Sequence, residues 1–450
     1  MLLNSALFKI YKAPILLIIA SIICYAIFAY DLIRTDYLKL VSLYFALFIL
    51  FFKLVQIFKH NIKGLTYISF GIRAIFILSI PNLSQDFYRF IWDGRMIIEG
   101  INPFLFTPYS FIEQNEFPIA QAQELFIGMG ELNASHFSNY PPLNQLCFLI
   151  AALFSSKSIL GSVVVIRLLI IAADFGTLHF GFKLLDKLSL PAHHIFWYIL
   201  NPFIIIELTG NLHFEGLMIF FLVWGLYLLH INKWKYSAVV FALSVSVKLI
   251  PLMFLPLLFQ KLGWKKSIGF YTITGLVNLL LFLPFYSTEF VQNYTNTVAL
   301  WFQNFEFNAS LYYIAREVGY TFRGRNEIAI IGSYIPKLVI IFVLILTFLR
   351  KNKTTKQLIT AMLLVLTFYY FTATTIHPWY VATLLLLSVF TKYKFPLVWS
   401  FVIILSYLAY LNVNKADKAE NLWIIALEYA IVYGVFFWEV LIKKAPKLEA

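Results

Sequence analysis

The chain is divided by a series of apolar runs, several of them long enough to cross a lipid bilayer, which takes about 17–25 residues in an α-helix. Hydrophobic residues make up 61% of the 450 positions and charged residues only 13%, with a mean hydropathy of +0.80. These values exclude a soluble globular protein and a disordered one. We therefore predict an all-α polytopic membrane protein with about 12–14 transmembrane helices. Residues 1–450 are expected to form a single integral membrane domain.

Positive charge sets the expected orientation of these helices. Lysine and arginine gather in the cytoplasmic connections of membrane proteins, so the net charge of +13 is a topology signal and does not indicate nucleic-acid binding. With the N-terminus inside, the basic clusters all lie inside: Lys53/Lys59/Lys63, Lys183/Lys187, Lys233/Lys235, Lys261/Lys265/Lys266, Arg350/Lys351/Lys353/Lys356, Lys392/Lys394 and Lys443/Lys444/Lys447. The polar segments that could carry chemistry then share the outer side.

Two apolar stretches do not fit a simple crossing. Pro142–Phe154 is too short for an easy span, and Lys248-Leu-Ile-Pro251 interrupts a longer run with a charge and a proline. Membranes tolerate such irregular backbone only where it is buried in protein or faces water. Both stretches predict re-entrant or half-helix elements. At an outer apex, Lys248 either snorkels to the headgroups or contacts a lipid-linked phosphate.

The longest polar segment, residues 82–141, begins with a charged stretch. Asp86, Arg89 and Asp93 fall at i, i+3 and i+7 and so share one face of a helix. This spacing fits either a salt ladder on a surface helix or an outer carboxylate that acts as a general base. Aromatic residues along the segment predict short amphipathic helices lying on the membrane. We expect residues 82–141 to form a catalytic extracytoplasmic loop.

Other outer polar groups have their own alternatives. Glu207, His213 and Glu215 crowd one short turn, where a polar rim of a substrate pocket is favoured over a metal site because the spacing fits no established motif. Trp379 and Tyr380 end a span, where an interfacial aromatic belt explains them at least as well as sugar stacking does. Arginines suit bidentate phosphate contact, and a later outer loop offers three as rivals of Lys248: Arg316, Arg323 and Arg325.

Several motifs, taken in order, resemble one family. They are Asp86-Phe-Tyr-Arg-Phe-Ile-Trp-Asp-Gly-Arg95, Gly100-Ile-Asn-Pro103, Tyr140-Pro-Pro-Leu143, the helix face from Arg167 to Asp174, Asn201-Pro202 followed by Gly210-Asn211 and His213, Lys248-Leu-Ile-Pro251, and His377-Pro-Trp-Tyr380. Their order resembles bacterial polyprenyl-phosphate-sugar-dependent glycosyltransferases of the GT-C superfamily, and the mannosyltransferase-like members most closely. The resemblance covers residues 86–380, most of the chain.

The resemblance implies a GT-C-like bundle whose first large outer loop carries an essential aspartate. It also implies a sugar donor on polyprenyl phosphate and inverting transfer to an acceptor hydroxyl. By position, the essential aspartate would be Asp86. Related enzymes show an Asp-x-Asp pair, whereas Phe87 and Tyr88 follow Asp86 here, and Asp93 is only a loose substitute. No cofactor and no metal site are therefore expected, with a divalent metal ion kept as the alternative.

We therefore expect a glycosyltransferase that moves a hexose, with mannose favoured, from polyprenyl phosphate to an acceptor hydroxyl. Its partners would be the lipid-linked donor, a glycan or glycolipid acceptor and membrane lipids, without nucleic acid. Its place would be the bacterial cytoplasmic (inner) membrane, with the active site on the extracytoplasmic face. The alternative is a polytopic transporter or lipid-linked-sugar flippase, since broken helices and intramembrane charges occur there too.

The expected site combines the residues from these segments. Asp86 and Asp93 are the predicted catalytic residues, with Asp86 as the general base and Asp93 also a candidate partner of Arg89. The predicted substrate-binding residues are Arg89, Trp92, Arg95, Asn102, Tyr140, Glu207, Asn211, His213, Glu215, Lys248, His377 and Tyr380.

Overall fold

The computed structural model describes residues 5–303, 305–412 and 420–442, so that the predicted inner cluster Lys443, Lys444 and Lys447 lies outside the described residues. The structure is 78% helical, and no strand is found within those ranges. One isolated β-bridge pairs Phe307 with Thr375. The prediction of an all-α polytopic membrane protein is confirmed.

Three helices form the N-terminal part of the bundle: α1 (Ser5–Tyr30), α2 (Tyr37–Phe58) and α3 (Ile62–Ile75). Asp36 and Asn61 cap the starts of α2 and α3 by accepting backbone N–H groups of the first turn. Asn82, beyond α3, donates to the carbonyl oxygens of Phe28 at 2.7 Å and Leu32 at 3.1 Å. The α1–α2 turn and the start of the long polar segment therefore lie at the same end of the bundle.

The polar segment folds into four helices: α4 (Asp86–Ile98), α5 (Pro108–Glu113), α6 (Ala122–Met129) and α7 (Glu131–Ala134). Short helices were expected, but the expectation that they lie on the membrane surface is wrong for α4. Phe87 and Trp92 are buried, and α4 packs against α8 (Pro142–Phe154). Gly94 permits this contact, because a Cβ there would lie 2.2 Å from the carbonyl oxygen of Phe148.

The long helix α9 (Ile159–Lys187) carries two buried charges with different partners. Asp174 accepts from Arg73 Nε of α3 at 2.7 Å, and both side chains are fully buried. Arg167 instead donates at 2.7–3.0 Å to four backbone carbonyls: those of Ile77, Ser79, Thr209 and Gly210. Arg167 thus connects residues 77–79, shortly before Asp86, to a second segment at residues 209–210.

That second segment is a broken helix. After α10 (Phe196–Ile199) come α11 (Pro202–Ile204), a π-helical stretch Ile205–Gly210, and α12 (Glu215–His230), with a bend of 115° across the break. Leu212 in the break has φ = 64°, a left-handed conformation that non-glycine residues rarely adopt. The contacts of Arg167 hold the turn in this shape.

A second break follows α13 (Trp234–Val247). Lys248 is extended, with φ = −148° and ψ = 142°, and the chain resumes in 3₁₀ turns at Ile250–Phe254 and Pro256–Leu258 before α14 (Phe259–Phe282). Proline at positions 251 and 256 explains the absence of regular α-helix here. The predicted interruption at Lys248 is present.

The remaining helices complete the bundle. They are α15 (Thr288–Gln303), α16 (Leu311–Arg323), α17 (Ile328–Leu349), α18 (Thr355–Thr372), α19 (Val381–Val389), α20 (Phe395–Val402) and α21 (Leu422–Phe437). Shorter 3₁₀ or π-helical pieces occur at Ala192–Ile195, Leu283–Phe285, Pro378–Tyr380, Ile403–Asn412 and Trp438–Ile442.

Within the described ranges, six helices are long and apolar enough to cross a membrane, or up to seven if the bent pair counts as one span. Four shorter apolar helices accompany them. The expected number of about 12–14 transmembrane helices stays a prediction, because short and broken apolar helices that are buried in protein also occur within membranes. The six are Lys12–Tyr30, Tyr37–Phe58, Ile159–Lys187, Ile250–Phe285, Ile328–Leu349 and Leu422–Ile442.

Candidate active site

A cavity of about 620 Å³ lies where the α1–α2 turn, the start of α4, both helix breaks and the segment before α19 meet. Eight of the fourteen residues predicted for the site line it: Asp86, Arg89, Tyr140, His213, Glu215, Lys248, His377 and Tyr380. Residues separated by almost 300 positions in the sequence are thus brought to one space. These segments were predicted to share one side of the membrane, and they meet at one end of the bundle. Which side that end faces stays a prediction.

Asp86 is the first residue of α4 and faces the cavity. Its backbone N–H donates to Ser84 Oγ at 3.3 Å, whereas its carboxylate has no hydrogen bond or ion pair among the described residues. Burial raises the pKa of Asp86 to about 6, and Glu215 adds to this effect, while Lys248 and Arg34 oppose it. A carboxylate with this pKa is mostly ionised at neutral pH and can still accept a proton readily.

Lys248 and Glu215 form an ion pair on the cavity wall. Lys248 Nζ donates to Glu215 Oε1, while Glu215 Oε2 is buried without a hydrogen-bond partner in the described structure. The Lys248 ammonium also lies 5.3 Å from the centre of the Tyr380 ring. Lys248 therefore points into the protein, and the alternative that it snorkels to the lipid headgroups does not hold.

Aromatic rings stack beside this pair. Trp379 stacks on His213 at 3.6 Å and on His377 at 4.7 Å between ring centres, and His377 stacks in turn on Phe307 at 5.1 Å. Trp379 is only 8% exposed, so the aromatic-belt interpretation is wrong for this residue. The stack fixes the orientation of both histidines at the cavity.

Asp93, the second predicted catalytic residue, does not reach the cavity. It is fully buried and accepts from Arg89 Nε at 2.7 Å, Ser138 Oγ at 2.5 Å and Gln145 Nε2 at 3.1 Å. Arg89 also donates to the carbonyl of His136 at 2.8 Å. The Arg89–Asp93 pair fitted a salt ladder on a surface helix in the sequence. In the structure it belongs to a buried hydrogen-bond network that joins α4 to the start of α8.

Two other predicted residues of the polar segment face away from the cavity. Trp92 is buried in the core, where its ring lies 6.5 Å from that of Phe111. Arg95 donates to the carbonyl of Ala120 at 2.6 Å and to Gln121 Oε1 at 3.2 Å. Both side chains make contacts within the polar segment, and neither lines the cavity.

The last three predicted residues outside the cavity also have structural partners. Asn102 donates to the carbonyl of Phe285 at 3.1 Å, and Asn211 accepts from the Leu83 backbone N–H at 3.0 Å. Glu207 accepts from the Tyr407 hydroxyl at 2.9 Å and 3.0 Å. Their polarity was a correct sign of buried hydrogen bonding, but sequence reasoning could not tell a backbone partner from a ligand.

The structure adds cavity residues that sequence reasoning missed. Among them are Arg34 from the α1–α2 turn, Trp301 and Glu306 from the end of α15 and the loop beyond, and Tyr410 and Glu420 from the C-terminal part. A signal for Arg34 existed, because an arginine on the predicted outer side departs from the positive-inside pattern. The C-terminal residues carried no comparable signal.

A metal ion was the alternative kept for the crowded turn. His213 Nε2 lies 3.9 Å from Glu207 Oε2, but Glu207 binds Tyr407 and Glu215 binds Lys248. Within the part of the chain that the structure describes, no group of three or more His, Cys, Asp or Glu could hold a metal ion.

The sequence was compared with known protein families and with curated proteins. Residues 40–262, about half of the chain, match the family described as alpha-(1->6)-mannopyranosyltransferase, N-terminal domain. The matched range contains Asp86, His213, Glu215 and Lys248 of the cavity. No curated protein matches the sequence. Through residues 40–262 the chain belongs to this family of GT-C type mannosyltransferases.

Proposed function

We propose that the protein transfers a mannosyl group from a polyprenyl-phosphate donor to a hydroxyl of a glycan or glycolipid acceptor, with inversion. The proposed location is the outer face of a bacterial cytoplasmic membrane. The family supports mannosyl transfer, a sugar donor and a glycan acceptor. The observation that carries the mechanism is the carboxylate of Asp86, which faces the cavity without a partner in the described structure.

In the proposed reaction, the acceptor hydroxyl loses its proton to Asp86 while its oxygen attacks the anomeric carbon of the sugar. The bond between that carbon and the phosphate oxygen breaks, and polyprenyl phosphate leaves with the electron pair. A general base of this kind contributes about 10²–10⁴-fold to the rate. Phosphate is a good leaving group that needs no protonation, so a single carboxylate suffices.

The leaving phosphate gains negative charge, which cations at the cavity would stabilise. Lys248 lines the cavity and fits this role, with Glu215 setting the direction of its ammonium group. The outer-loop arginines do not line it. Arg316 pairs with Glu306 and Glu317, while Arg323 and Arg325 both contact Glu327. These arginines are therefore not part of the proposal.

A transporter or flippase was the alternative, and the broken helices and buried charges also suit that class. The family assignment favours group transfer. The proposed reaction also gives the unpaired carboxylate of Asp86 a role, as the general base.

The test follows mannose transfer from radiolabelled polyprenyl phosphate mannose by the purified full-length protein. We expect Asp86→Asn to lose about 10²–10⁴-fold in kcat. Glu99→Gln is the matched control, because Glu99 is exposed at the other end of α4. Equal turnover by Asp86→Asn and wild type would remove Asp86 from the mechanism. Absence of transfer by the wild type with this donor would overturn the donor assignment.

A further inference from the structure

Three cationic side chains line the cavity, and they differ in how their charge is neutralised. Arg89 is paired with Asp93, and Lys248 is paired with Glu215. No carboxylate oxygen of the described residues lies within 4.0 Å of a guanidinium nitrogen of Arg34. Arg34 is therefore the cavity cation whose charge still lacks a direct counterion in the described structure.

The side chain of Arg34 is nevertheless held in place. One terminal nitrogen donates to the carbonyl of Leu83 at 3.2 Å, and the guanidinium carbon lies 4.0 Å from the centre of the Tyr410 ring. An arginine has five N–H donors, and stacking on an aromatic ring leaves its edge free for hydrogen bonds. Arg34 thus offers an oriented edge with unused donors to a ligand in the cavity.

The other charged residues on the α1–α2 turn and at the start of α2 have local partners. Lys39 Nζ forms an ion pair with Asp31 at 2.6 Å, and Asp36 caps α2. None of these three residues lines the cavity. Of these charged residues, Arg34 alone lines the cavity, whereas Asp31, Asp36 and Lys39 make local contacts.

The turn also lies at an apolar outer boundary of the bundle. Ile33 is 69% exposed and Leu38 is 79% exposed on either side of Arg34. In a membrane protein, exposed aliphatic side chains at the end of spanning helices contact lipid. Arg34 thus connects a surface suited to lipid with a polar interior, which is the geometry that a lipid with a phosphate headgroup requires.

We propose that Arg34 binds the phosphate of the lipid-linked donor, with the lipid tail leaving the cavity past the α1–α2 turn. This assignment rests on the proposed function and adds a binding residue to it. The planar guanidinium can contact two phosphate oxygens at once through a fixed fork of donors, which the ammonium of Lys248 lacks. Lys248 and Arg34 then hold the phosphate from two sides of the cavity, with Asp86 facing the acceptor.

The experiment measures binding of polyprenyl monophosphate and of polyprenol of the same chain length to the full-length protein in nanodiscs. We expect Arg34→Gln to weaken binding of the phosphate lipid by at least about tenfold and to leave polyprenol binding unchanged. Lys39→Gln, in the first turn of α2, is the matched control, with an expected change within about twofold. Arg34→Lys should recover part of the affinity because it restores charge without the bidentate edge.

The outcomes separate this assignment from the proposed function. If Arg34→Gln binds the phosphate lipid as tightly as wild type, Arg34 has no role in phosphate binding and the proposed function stands. If the wild type binds polyprenol as well as polyprenyl monophosphate, the donor class itself is wrong. If inorganic phosphate binds as tightly as the lipid and with the same dependence on Arg34, the site recognises free phosphate and the lipid-linked assignment fails.

Discussion

Two carboxylates on one helix have opposite surroundings. Asp86 at the start of α4 faces an open cavity without a partner in the described structure, whereas Asp93, two turns later, is enclosed by Arg89, Ser138 and Gln145. The sequence presents both as acids on one helical face. The difference arises from the chain packed against each end of α4, and it separates a group available for chemistry from a group that holds the fold.

Substitution by asparagine at each position tests this difference most strongly. Asp86→Asn should lower kcat by about 10²–10⁴-fold without loss of stability, because the amide cannot accept the acceptor proton. Asp93→Asn should instead lower the free energy of unfolding by about 3–5 kcal/mol, because Arg89 then remains buried without its counterion. Measuring mannosyl transfer and thermal unfolding on both variants checks the expected loss of kcat in the first and the expected loss of stability in the second.

The comparison fails if the two variants behave alike. A stable Asp93→Asn with strongly reduced kcat would place Asp93 in the chemistry and remove the distinction drawn from burial. A destabilised Asp86→Asn would show that its carboxylate has a structural partner.

The pH dependence of the reaction tests the protonation state of Asp86. Because only the carboxylate accepts a proton, kcat/KM should fall about tenfold per pH unit below the pKa of about 6 and level off above it. Folding raises this pKa from 3.8, so ionisation of Asp86 destabilises the folded state. The destabilisation is absent below pH 3.8 and grows as the pH rises towards 6. Asp86→Asn should therefore be slightly more stable than wild type at neutral pH. A kcat/KM profile that is flat from pH 5 to 8 would contradict the assignment.

Gly94 tests the packing that encloses Asp93. A Cβ at this position would meet the carbonyl oxygen of Phe148 at 2.2 Å, so Gly94→Ala should destabilise the protein by about 1–3 kcal/mol. Gly71→Ala is the matched control within α3, because a Cβ there has no atom within 4 Å. The control should be neutral or slightly stabilising. Equal unfolding temperatures for the two variants would mean that α4 does not press against α8.

The smallest effect is expected outside both regions. Arg325 is exposed and pairs with Glu327 beyond the cavity, so Arg325→Gln should change kcat/KM by less than about twofold and stability by less than about 1 kcal/mol. A large rise in KM for the donor would show that the loop containing Arg325 contacts the donor, and that the substrate site extends beyond the cavity.

The sequence was informative where chemistry follows from local pattern. Apolar runs predicted the membrane fold, and the charge and proline at Lys248 and Pro251 predicted a break that the structure contains. Asp86 stood out because an acid begins a long outer segment. Each of these signals lies within a few residues of the feature that it predicts.

The rest depends on contacts across long sequence distances. Lys248 and Glu215 become partners only when two broken helices meet, and the guanidinium of Arg34 is held at the cavity by the distant carbonyl of Leu83. Asn102 looked like a ligand but binds a backbone carbonyl of residue 285. A single sequence reports which side chains are polar, and tertiary packing decides what they face.

The 115° break before α12 has an electrostatic consequence for the cavity. Because of it, α12 begins at Glu215 on the cavity wall, just as α4 begins at Asp86. The aligned peptide dipoles of a helix place a charge of roughly +0.5 at its N-terminus. Two helices therefore direct their positive ends towards the same space, where they favour the ionised carboxylates and an incoming anion. This backbone contribution persists in any single side-chain variant, so removing one cation should weaken binding of an anionic donor without abolishing it.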